Sequence, residues 1–215
     1  MIHIIDNNHS VFNHFIGEIR DSKIQQDPLR FRRNMERIGE VMAYEISKTL
    51  EFENTETQTP LGTAKTAKVK DTVVLATILR AGLPLHAGML NYFDKAQNAF
   101  VSAYRKHHKD NSFEIQIEYL SCPDINDKTL IITDPMLATG SSMVLAYEAL
   151  LKRGQPKNVH IASVIASRQG VDYCRKHLPN NVTFWLGAVD EELTAHAYIV
   201  PGLGDAGDLA YGEKI

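Results

Sequence analysis

Apolar and polar positions divide the chain into a helical first third and a longer part in which short apolar runs alternate with helical segments. Asp27 is a suitable N-cap and Pro28 a suitable first residue for a long helix. Apolar side chains then recur at roughly helical spacing, at Leu29, Met35, Ile38, Met42 and Ile46. From Phe52 to Lys70 the chain is polar and rich in Thr, with Pro60 and Gly62 marking a turn, so we expect an exposed β-hairpin excursion.

Beyond this excursion, short runs rich in β-branched residues predict strands, and amphipathic runs between them predict helices. The predicted strands are TVVLATIL, NAFVSAY, FEIQIEYL, LII at 130–132, VHIASVIAS and VTFWLGAV. In FEIQIEYL, strict alternation predicts a strand with one solvent-exposed face and one buried face. The predicted buried face is formed by Phe113, Ile115, Ile117 and Tyr119. The predicted helices are LPLHAGMLNYF, Ser142–Arg153 closed by Gly154, and GVDYCRKHL. This order predicts an α/β fold with a mainly parallel sheet flanked by helices, and ligands at the carboxyl ends of its strands.

Length and composition favour one domain over all 215 residues, since a chain with 44% hydrophobic residues can bury a sizeable core. We divide it into N-terminal helices and excursion (1–70), a core (71–190) and a C-terminal segment (191–215). No run approaches the roughly 18 apolar residues that a membrane span needs, and MIHIIDNNHS does not resemble a signal peptide. We therefore expect a cytoplasmic protein that does not bind membranes. Cys122 and Cys174 have no metal-ligand spacing and are expected to be reduced packing residues.

The segment LIITDPMLATGSS has the features of an anion site. A buried strand ends at Asp134, and a loop of small residues then leads directly into a helix. Unsatisfied N–H groups at a helix N-terminus, the helix dipole, and Thr and Ser hydroxyls together favour a phosphomonoester. An ordinary strand-to-helix turn with a Ser cap is the alternative. A P-loop is excluded because no Gly-Lys-Ser/Thr sequence follows.

The chain's last part contains Gly202, Gly204 and Gly207 in the G-x-G-x-x-G pattern of dinucleotide-binding turns. Such a turn requires a βαβ unit with an acidic residue about twenty positions further on. Only eight residues follow Gly207, so that unit has no room. A poorly ordered terminus is the simplest alternative for the segment taken alone.

Four segments in a fixed order resemble the type I phosphoribosyltransferases, in the form found in the uracil phosphoribosyltransferase family. They are ILRAGL at 78–83, AYR at 103–105, DPMLATGSS at 134–142 and YIVPGLGDAGD at 198–208. The resemblance covers roughly residues 73–212. It implies transfer of phosphoribose from phosphoribosyl pyrophosphate (PRPP) to uracil, giving UMP and pyrophosphate. It also implies Mg²⁺ that is carried on PRPP rather than held by protein ligands, and a homodimer or higher homo-oligomer.

The resemblance assigns roles to particular residues of this chain. Arg80 and Arg105 match the pyrophosphate-contacting arginines, and two guanidinium groups suit a diphosphate. The PRPP loop is Asp134, Pro135, Met136, Leu137, Ala138, Thr139, Gly140, Ser141 and Ser142, with Asp134 as the single carboxylate at the ribose and Met136 and Leu137 as an apolar wall. The uracil-binding residues are Ile199, Gly204, Asp205 and Ala206. Asp205 also reaches PRPP, and Asp134, Arg105 and Asp205 are the expected catalytic group. A lid is expected between Arg105 and Phe113.

One position departs from the family pattern, because Ser141 stands where many members have a second glycine. A positive φ there would strain serine, whereas a helical conformation would let Ser141 supply a further donor. We expect the helical conformation.

Two alternative functions stay open at this level. An RNA-binding regulator on the same fold would need a basic stripe. The net charge is −3, and the nearest approach to a stripe is a cluster of Arg30, Arg32, Arg33 and Arg37, for which a solvated helix face is the simpler account. We therefore expect no nucleic-acid partner. A phosphoribosyltransferase for another base, such as a purine, is the second alternative, and only the C-terminal resemblance argues against it.

Overall fold

The computed structural model describes residues 1–107 and 113–213, and of residues 103–107 and 113–116 it describes the backbone alone. The strands are β1 (Ile2–Ile4), β2 (Phe52–Thr59), β3 (Gly62–Val69), β4 (Val73–Leu79), β5 (Gln97–His107), β6 (Phe113–Ser121), β7 (Thr129–Thr133), β8 (Met136–Leu137), β9 (Asn158–Ser167), β10 (Thr183–Asp190), β11 (Glu192–Leu193) and β12 (Ile199–Val200). The α-helices are α1 (Val11–Arg20), α2 (Pro28–Ser47), α3 (Leu83–Leu90), α4 (Ser141–Leu151), α5 (Arg168–His177) and α6 (Ala206–Tyr211).

A mainly parallel sheet in the order β1-β10-β9-β7-β4-β5-β6 forms the centre of the described chain, with β8 paired to β9. Only the β5–β6 pair of this sheet is antiparallel. Alternate residues of its strands feed two cores: Leu75 and Ile131 pack with α1, α2 and α3, whereas Val74 and Ile132 pack with α4 and α5. The predicted α/β fold, with helices on both faces, is confirmed.

Helix α2 begins where the sequence predicts, because Asp27 caps it. The Asp27 carboxylate accepts from the backbone N–H groups of Leu29 (2.9 Å) and Arg30 (3.2 Å), and Pro28 fills the first turn. Met35 and the apolar residues that follow it at helical spacing are buried, whereas Leu29 is 61% exposed because the first turn extends beyond the core.

The polar excursion is the predicted hairpin. Strands β2 and β3 pair over their whole length, from Phe52 opposite Val69 to Thr59 opposite Gly62, and form a two-stranded sheet separate from the central one.

The prediction for β6 is wrong at Tyr119, which is 55% exposed rather than on the dry face. The pairing of β5 and β6 shifts register next to Ser102, so that Ser102 lies opposite Tyr119 while Ala103 lies opposite Ile117. This bulge changes the phase of the alternation, and Ile117 and Leu120 are the residues that pack toward α4. Among the residues that the structure describes, no helix combines the length and apolar content that a membrane span requires.

Candidate active site

A pocket of about 170 Å³ opens beside the carboxyl ends of β4 and β7. Two sequence-distant segments form its walls, the predicted PRPP loop and the predicted uracil segment. The lining residues are Ala81, Asp134, Met136, Leu137, Ala138, Thr139, Gly140, Ser142, Met143, Ala197, Tyr198, Ile199, Gly204, Asp205, Ala206 and Gly207. The structure therefore brings together residues some sixty positions apart, at the edge of the sheet where the α/β topology predicts a ligand.

The loop before α4 leaves the N-terminus of that helix available to an anion. Gly140, not serine, occupies the N-cap and has no side chain to offer. The Ser141 N–H donates to Thr139 Oγ1 at 3.4 Å, and the next two N–H groups of the helix have no side-chain partner among the described residues. The alternative of an ordinary turn with a Ser cap is therefore wrong. Ser141 is already helical, as predicted, and its hydroxyl lies 3.1 Å from that of Thr139. Free N–H groups, two hydroxyls and the helix dipole converge at this end of α4.

Gly140 is required by its conformation and by its surroundings. Its φ is 82°, in the left-handed region that favours glycine, and a Cβ would lie 2.8 Å from the Gly170 carbonyl oxygen and 3.0 Å from Cys174 Sγ. Cys174 is a buried free cysteine, and burial raises the pKa of its thiol to about 12. It packs against Gly140 of the predicted PRPP loop, in agreement with the predicted packing role.

Asp134 follows β7 and lines the pocket. Its backbone N–H donates to the Ala162 carbonyl (3.1 Å), which continues the β7–β9 pairing and fixes the side-chain direction. Among the described residues, the carboxylate accepts one hydrogen bond, from the Met136 N–H at 3.3 Å. Burial, opposed by that single bond, raises the pKa of Asp134 to about 7. The group has unused acceptor capacity toward the pocket, and its charge state changes near neutral pH.

The C-terminal segment forms a defined turn and a short helix rather than a poorly ordered terminus. Ile199 and Ala206 are buried, and Asp205 caps α6 by accepting from the Asp208 N–H at 3.0 Å. Gly204 and Asp205 line the same pocket as the predicted PRPP loop. Helix α6 has only six residues, so the described chain contains no dinucleotide-binding βαβ unit here.

The two predicted pyrophosphate-binding arginines lie at the carboxyl ends of neighbouring strands, β4 and β5. Arg80 follows β4, and its guanidinium donates to Asp208 (3.0 Å) and to the Gly212 carbonyl (3.2 Å) rather than lining the pocket. Its Nε is buried without a partner among the described residues. Arg105 lies in β5, and its side chain is outside the described residues, as is most of the lid predicted between Arg105 and Phe113.

Several pocket residues differ from those that the sequence indicates. Pro135 and Ser141 belong to the predicted loop but do not line the pocket, while Ala81, Met143 and Tyr198 do. Ala81 and Tyr198 lie within segments of the family resemblance and Met143 directly follows one, so membership of those segments or contiguity with them is the signal that could have found the three residues.

The basic cluster on α2 does not form a free cationic stripe. Arg30 binds Glu18, Arg33 binds Glu36, Arg32 donates to the Ala210 carbonyl, and Arg37 donates to the Asn34 side chain. These internal contacts favour the structural account of the cluster over the RNA-binding alternative.

Comparisons with known proteins agree with the geometry. The family model described as uracil phosphoribosyltransferase matches residues 6–213. A uracil phosphoribosyltransferase of Porphyromonas gingivalis is 63% identical over 207 residues, which are 96% of each chain. A solved structure of an Aquifex aeolicus protein is 30% identical with a TM-score of 0.88 and full coverage of both chains. A Staphylococcus aureus hypoxanthine phosphoribosyltransferase, 16% identical with a TM-score of 0.52 over 75% of this chain and 76% of its own, shares the type I fold. The chain belongs to the uracil phosphoribosyltransferase family.

Proposed function

We propose that the chain transfers the 5-phosphoribosyl group from PRPP to uracil, giving UMP and pyrophosphate. The observation that carries this proposal is the meeting of two segments in one pocket. The N-terminus of α4, a glycine-rich turn and Asp134 all line this pocket. These features suit a phosphate, a planar base and a ribose, respectively.

In this proposal the 5-phosphate binds the segment Ala138–Ser142, where backbone N–H groups and hydroxyls act as donors. Asp134 accepts hydrogen bonds from the ribose hydroxyls, beside the apolar wall of Met136 and Leu137. Pro135 and Ser141 shape the loop from behind, since they do not line the pocket. Arg80 and Arg105 bind the pyrophosphate, which requires the Arg80 guanidinium to exchange Asp208 for the ligand.

Uracil is proposed to bind against Ile199, Gly204, Asp205 and Ala206. Its edge alternates donors and acceptors, and a backbone without side chains in the way can approach that edge closely. Cytosine presents a donor where uracil presents an acceptor, which leaves a buried mismatch and predicts strong discrimination.

Charge development defines the proposed catalysis. As the bond from C1 to pyrophosphate breaks, the ribose gains oxocarbenium character and the leaving group gains negative charge. The arginines stabilise the leaving group, while Asp134 and Asp205 face the side on which positive charge develops. The base nitrogen, positioned against C1, forms the new bond as the bond from C1 to pyrophosphate breaks, and it gives up its proton to the departing pyrophosphate or to solvent, so no protein nucleophile is needed.

Mg²⁺ is the cofactor that we propose, bound to PRPP. The pocket contains two carboxylates, Asp134 and Asp205, and the described residues hold no cluster of three or more His, Cys, Asp or Glu side chains. Mg²⁺ commonly binds one or two carboxylates together with substrate phosphates, so this donor set fits an ion that arrives with PRPP. When bound, Mg²⁺ neutralises negative charge on the pyrophosphate.

We further propose a cytoplasmic homo-oligomer, a dimer or larger, whose partners are small molecules rather than nucleic acids or membranes. The internal pairing of the α2 arginines supports the exclusion of nucleic acid.

The test is a pyrophosphate-release assay with PRPP, Mg²⁺ and one nucleobase at a time. We expect turnover with uracil and at most traces with cytosine, hypoxanthine, guanine and adenine. Asp134→Asn should raise the KM for PRPP, whereas Asp172→Asn, on the exposed face of α5, should leave it unchanged. Turnover with hypoxanthine but not uracil would replace this proposal with the purine alternative.

A further inference from the structure

Polar side chains of the N-terminal helices hold the backbone of the C-terminal turn. The clearest example is Arg20, the last residue of α1, whose Nη1 donates to the Gly202 carbonyl at 3.0 Å. The same guanidinium forms a two-pronged ion pair with Asp190, at the end of β10, with both distances 2.8 Å. Arg20 thus joins three regions of the chain that are distant in sequence.

Asp190 completes this contact from the other side. Its Oδ2 accepts the Gly202 N–H at 2.9 Å, so the two charged side chains together bind both polar backbone groups of one glycine. The Asp190 side chain is 8% exposed and that of Arg20 is 22% exposed. Burial by itself would raise the pKa of Asp190, but hydrogen bonds from Arg20 and the Gly202 N–H outweigh burial and hold the pKa below its usual value. The pair is therefore charged, desolvated and geometrically fixed.

Gly202 has a backbone conformation and surroundings that only glycine suits. Its φ is 55°, and a Cβ there would collide with the Ile199 carbonyl oxygen. The turn at Gly202 connects Ile199 to Gly204, both of which line the pocket. A change in the direction of the chain at Gly202 would therefore move the groups proposed to bind the base.

Two further residues of the first third contact the same segment. With its amide nitrogen turned toward them, Gln25 donates to the carbonyls of Leu203 (2.8 Å) and Ile19 (3.0 Å). Arg32 donates to the Ala210 carbonyl at 2.7 Å, at the end of α6. The contacts from the N-terminal helices thus continue past Gly202 along the segment.

We propose that Arg20 and Asp190 are positioning residues for base recognition, which act by clamping Gly202 so that the backbone from Ile199 to Ala206 keeps the geometry that fits the base. This inference rests on the proposed function. Neither side chain lines the pocket, so neither is expected to touch a substrate. Loss of a purely structural ion pair would lower only the stability of the fold, whereas loss of this clamp should raise the KM for uracil selectively.

The kinetic test compares variants of the clamp with a matched pair elsewhere. Asp190→Asn keeps an acceptor for the Gly202 N–H but removes the negative charge that Arg20 binds. Arg20→Lys keeps the positive charge but loses the two parallel hydrogen bonds that a guanidinium donates to a carboxylate. Arg30→Gln is the control, because Arg30 forms the same kind of two-pronged pair with Glu18 but does not contact the C-terminal segment. We expect the KM for uracil to rise at least tenfold in Asp190→Asn and three- to tenfold in Arg20→Lys. The KM for PRPP should rise clearly less than the KM for uracil, because Asp205 is the one residue of the clamped segment that is also proposed to reach PRPP. Arg30→Gln should change neither KM by more than twofold.

Equal increases in both KM values, or a KM for uracil in Asp190→Asn that matches the control, would overturn the inference. A second readout does not depend on activity. Amide hydrogen exchange in the peptide 199–207 should quicken at least tenfold in Asp190→Asn, while exchange in 129–133 stays unchanged. If the wild-type protein does not use uracil, the proposed function fails, and exchange decides the clamp: faster exchange confined to 199–207 supports it, and unchanged or global exchange refutes it.

Discussion

Replacing Asp134 with asparagine should stabilise the free protein at pH 8 although it weakens PRPP binding. The carboxyl group has an ordinary pKa of 3.8, and burial raises it to about 7 in the folded protein. A shift of this size means that folding disfavours the charged form relative to the neutral form by about 4 kcal/mol. Because the pocket admits solvent, we expect the ionised carboxylate to cost about 2 to 4 kcal/mol of folding free energy.

The raised pKa determines the direction of the pH dependence. Between pH 3.8 and about 7, the folded protein retains a proton that the unfolded chain has lost. Stability contributed by this proton is full below pH 3.8 and is lost as the pH rises to about 7. Asparagine carries no such charge, so Asp134→Asn should match the wild type near pH 4 and exceed it by about 2 to 4 kcal/mol at pH 8.

Urea denaturation from pH 4 to 8 measures this difference. Trp185 is the single tryptophan of the chain and is buried, so its fluorescence reports unfolding. The control is Asp172→Asn, which removes a carboxylate from the exposed face of α5 and should change stability by less than about 0.5 kcal/mol at every pH. Parallel curves for wild type and Asp134→Asn, or a less stable variant at pH 8, would show that burial does not penalise the ionised carboxylate.

Four further predictions concern the pocket and its substrates. Asp208→Asn should lower the KM for PRPP up to about fivefold, since it frees Arg80 from a partly exposed ion pair of about 0.2 to 1 kcal/mol; a raised KM in steady-state assays would contradict this. Gly140→Ala should lose about 1 to 3 kcal/mol in urea unfolding because of its positive φ and close contacts, while Ser141→Gly should keep PRPP affinity within twofold by calorimetry. A large gain in affinity for Ser141→Gly would mean that serine strains the loop. Removal of Mg²⁺ with a chelator should abolish pyrophosphate release, and added Mg²⁺ should restore it; persistent turnover would exclude the metal.

Local chemistry made most elements of the fold predictable. Three features depend on neighbouring residues and are present as predicted: the cap at Asp27, the polar hairpin, and a buried strand before Asp134 with a helix after the loop. Strand β8 within that loop was not predicted, because it depends on pairing with β9. The prediction of which β6 side chains are buried failed at Tyr119. The bulge next to Ser102 depends on pairing between two strands, and the alternation within one strand does not encode that pairing.

Long-range contacts explain what the sequence left out of the site. Arg20 meets Asp190 and Gly202 across 170 and 182 positions, and no motif or spacing joins them. Arg80 also illustrates the limit: its family motif predicts a pyrophosphate ligand, but its contact with Asp208 depends on the path of the C-terminal segment.

The raised pKa of Asp134 means that the ionised carboxylate lowers the folding stability of the protein when no ligand is bound. A carboxylate with one hydrogen bond gains little in the free protein, whereas ribose hydroxyls would donate to it and a Mg²⁺ carried by PRPP would favour its charge. Binding should therefore lower the pKa of Asp134 and relieve the penalty that asparagine removes by mutation. Asp134 would thus lower the stability of the free protein in exchange for binding the substrate, as residues of functional sites often do. It follows that PRPP with Mg²⁺ should stabilise the wild type more than Asp134→Asn, by a margin that widens from pH 5 to pH 8.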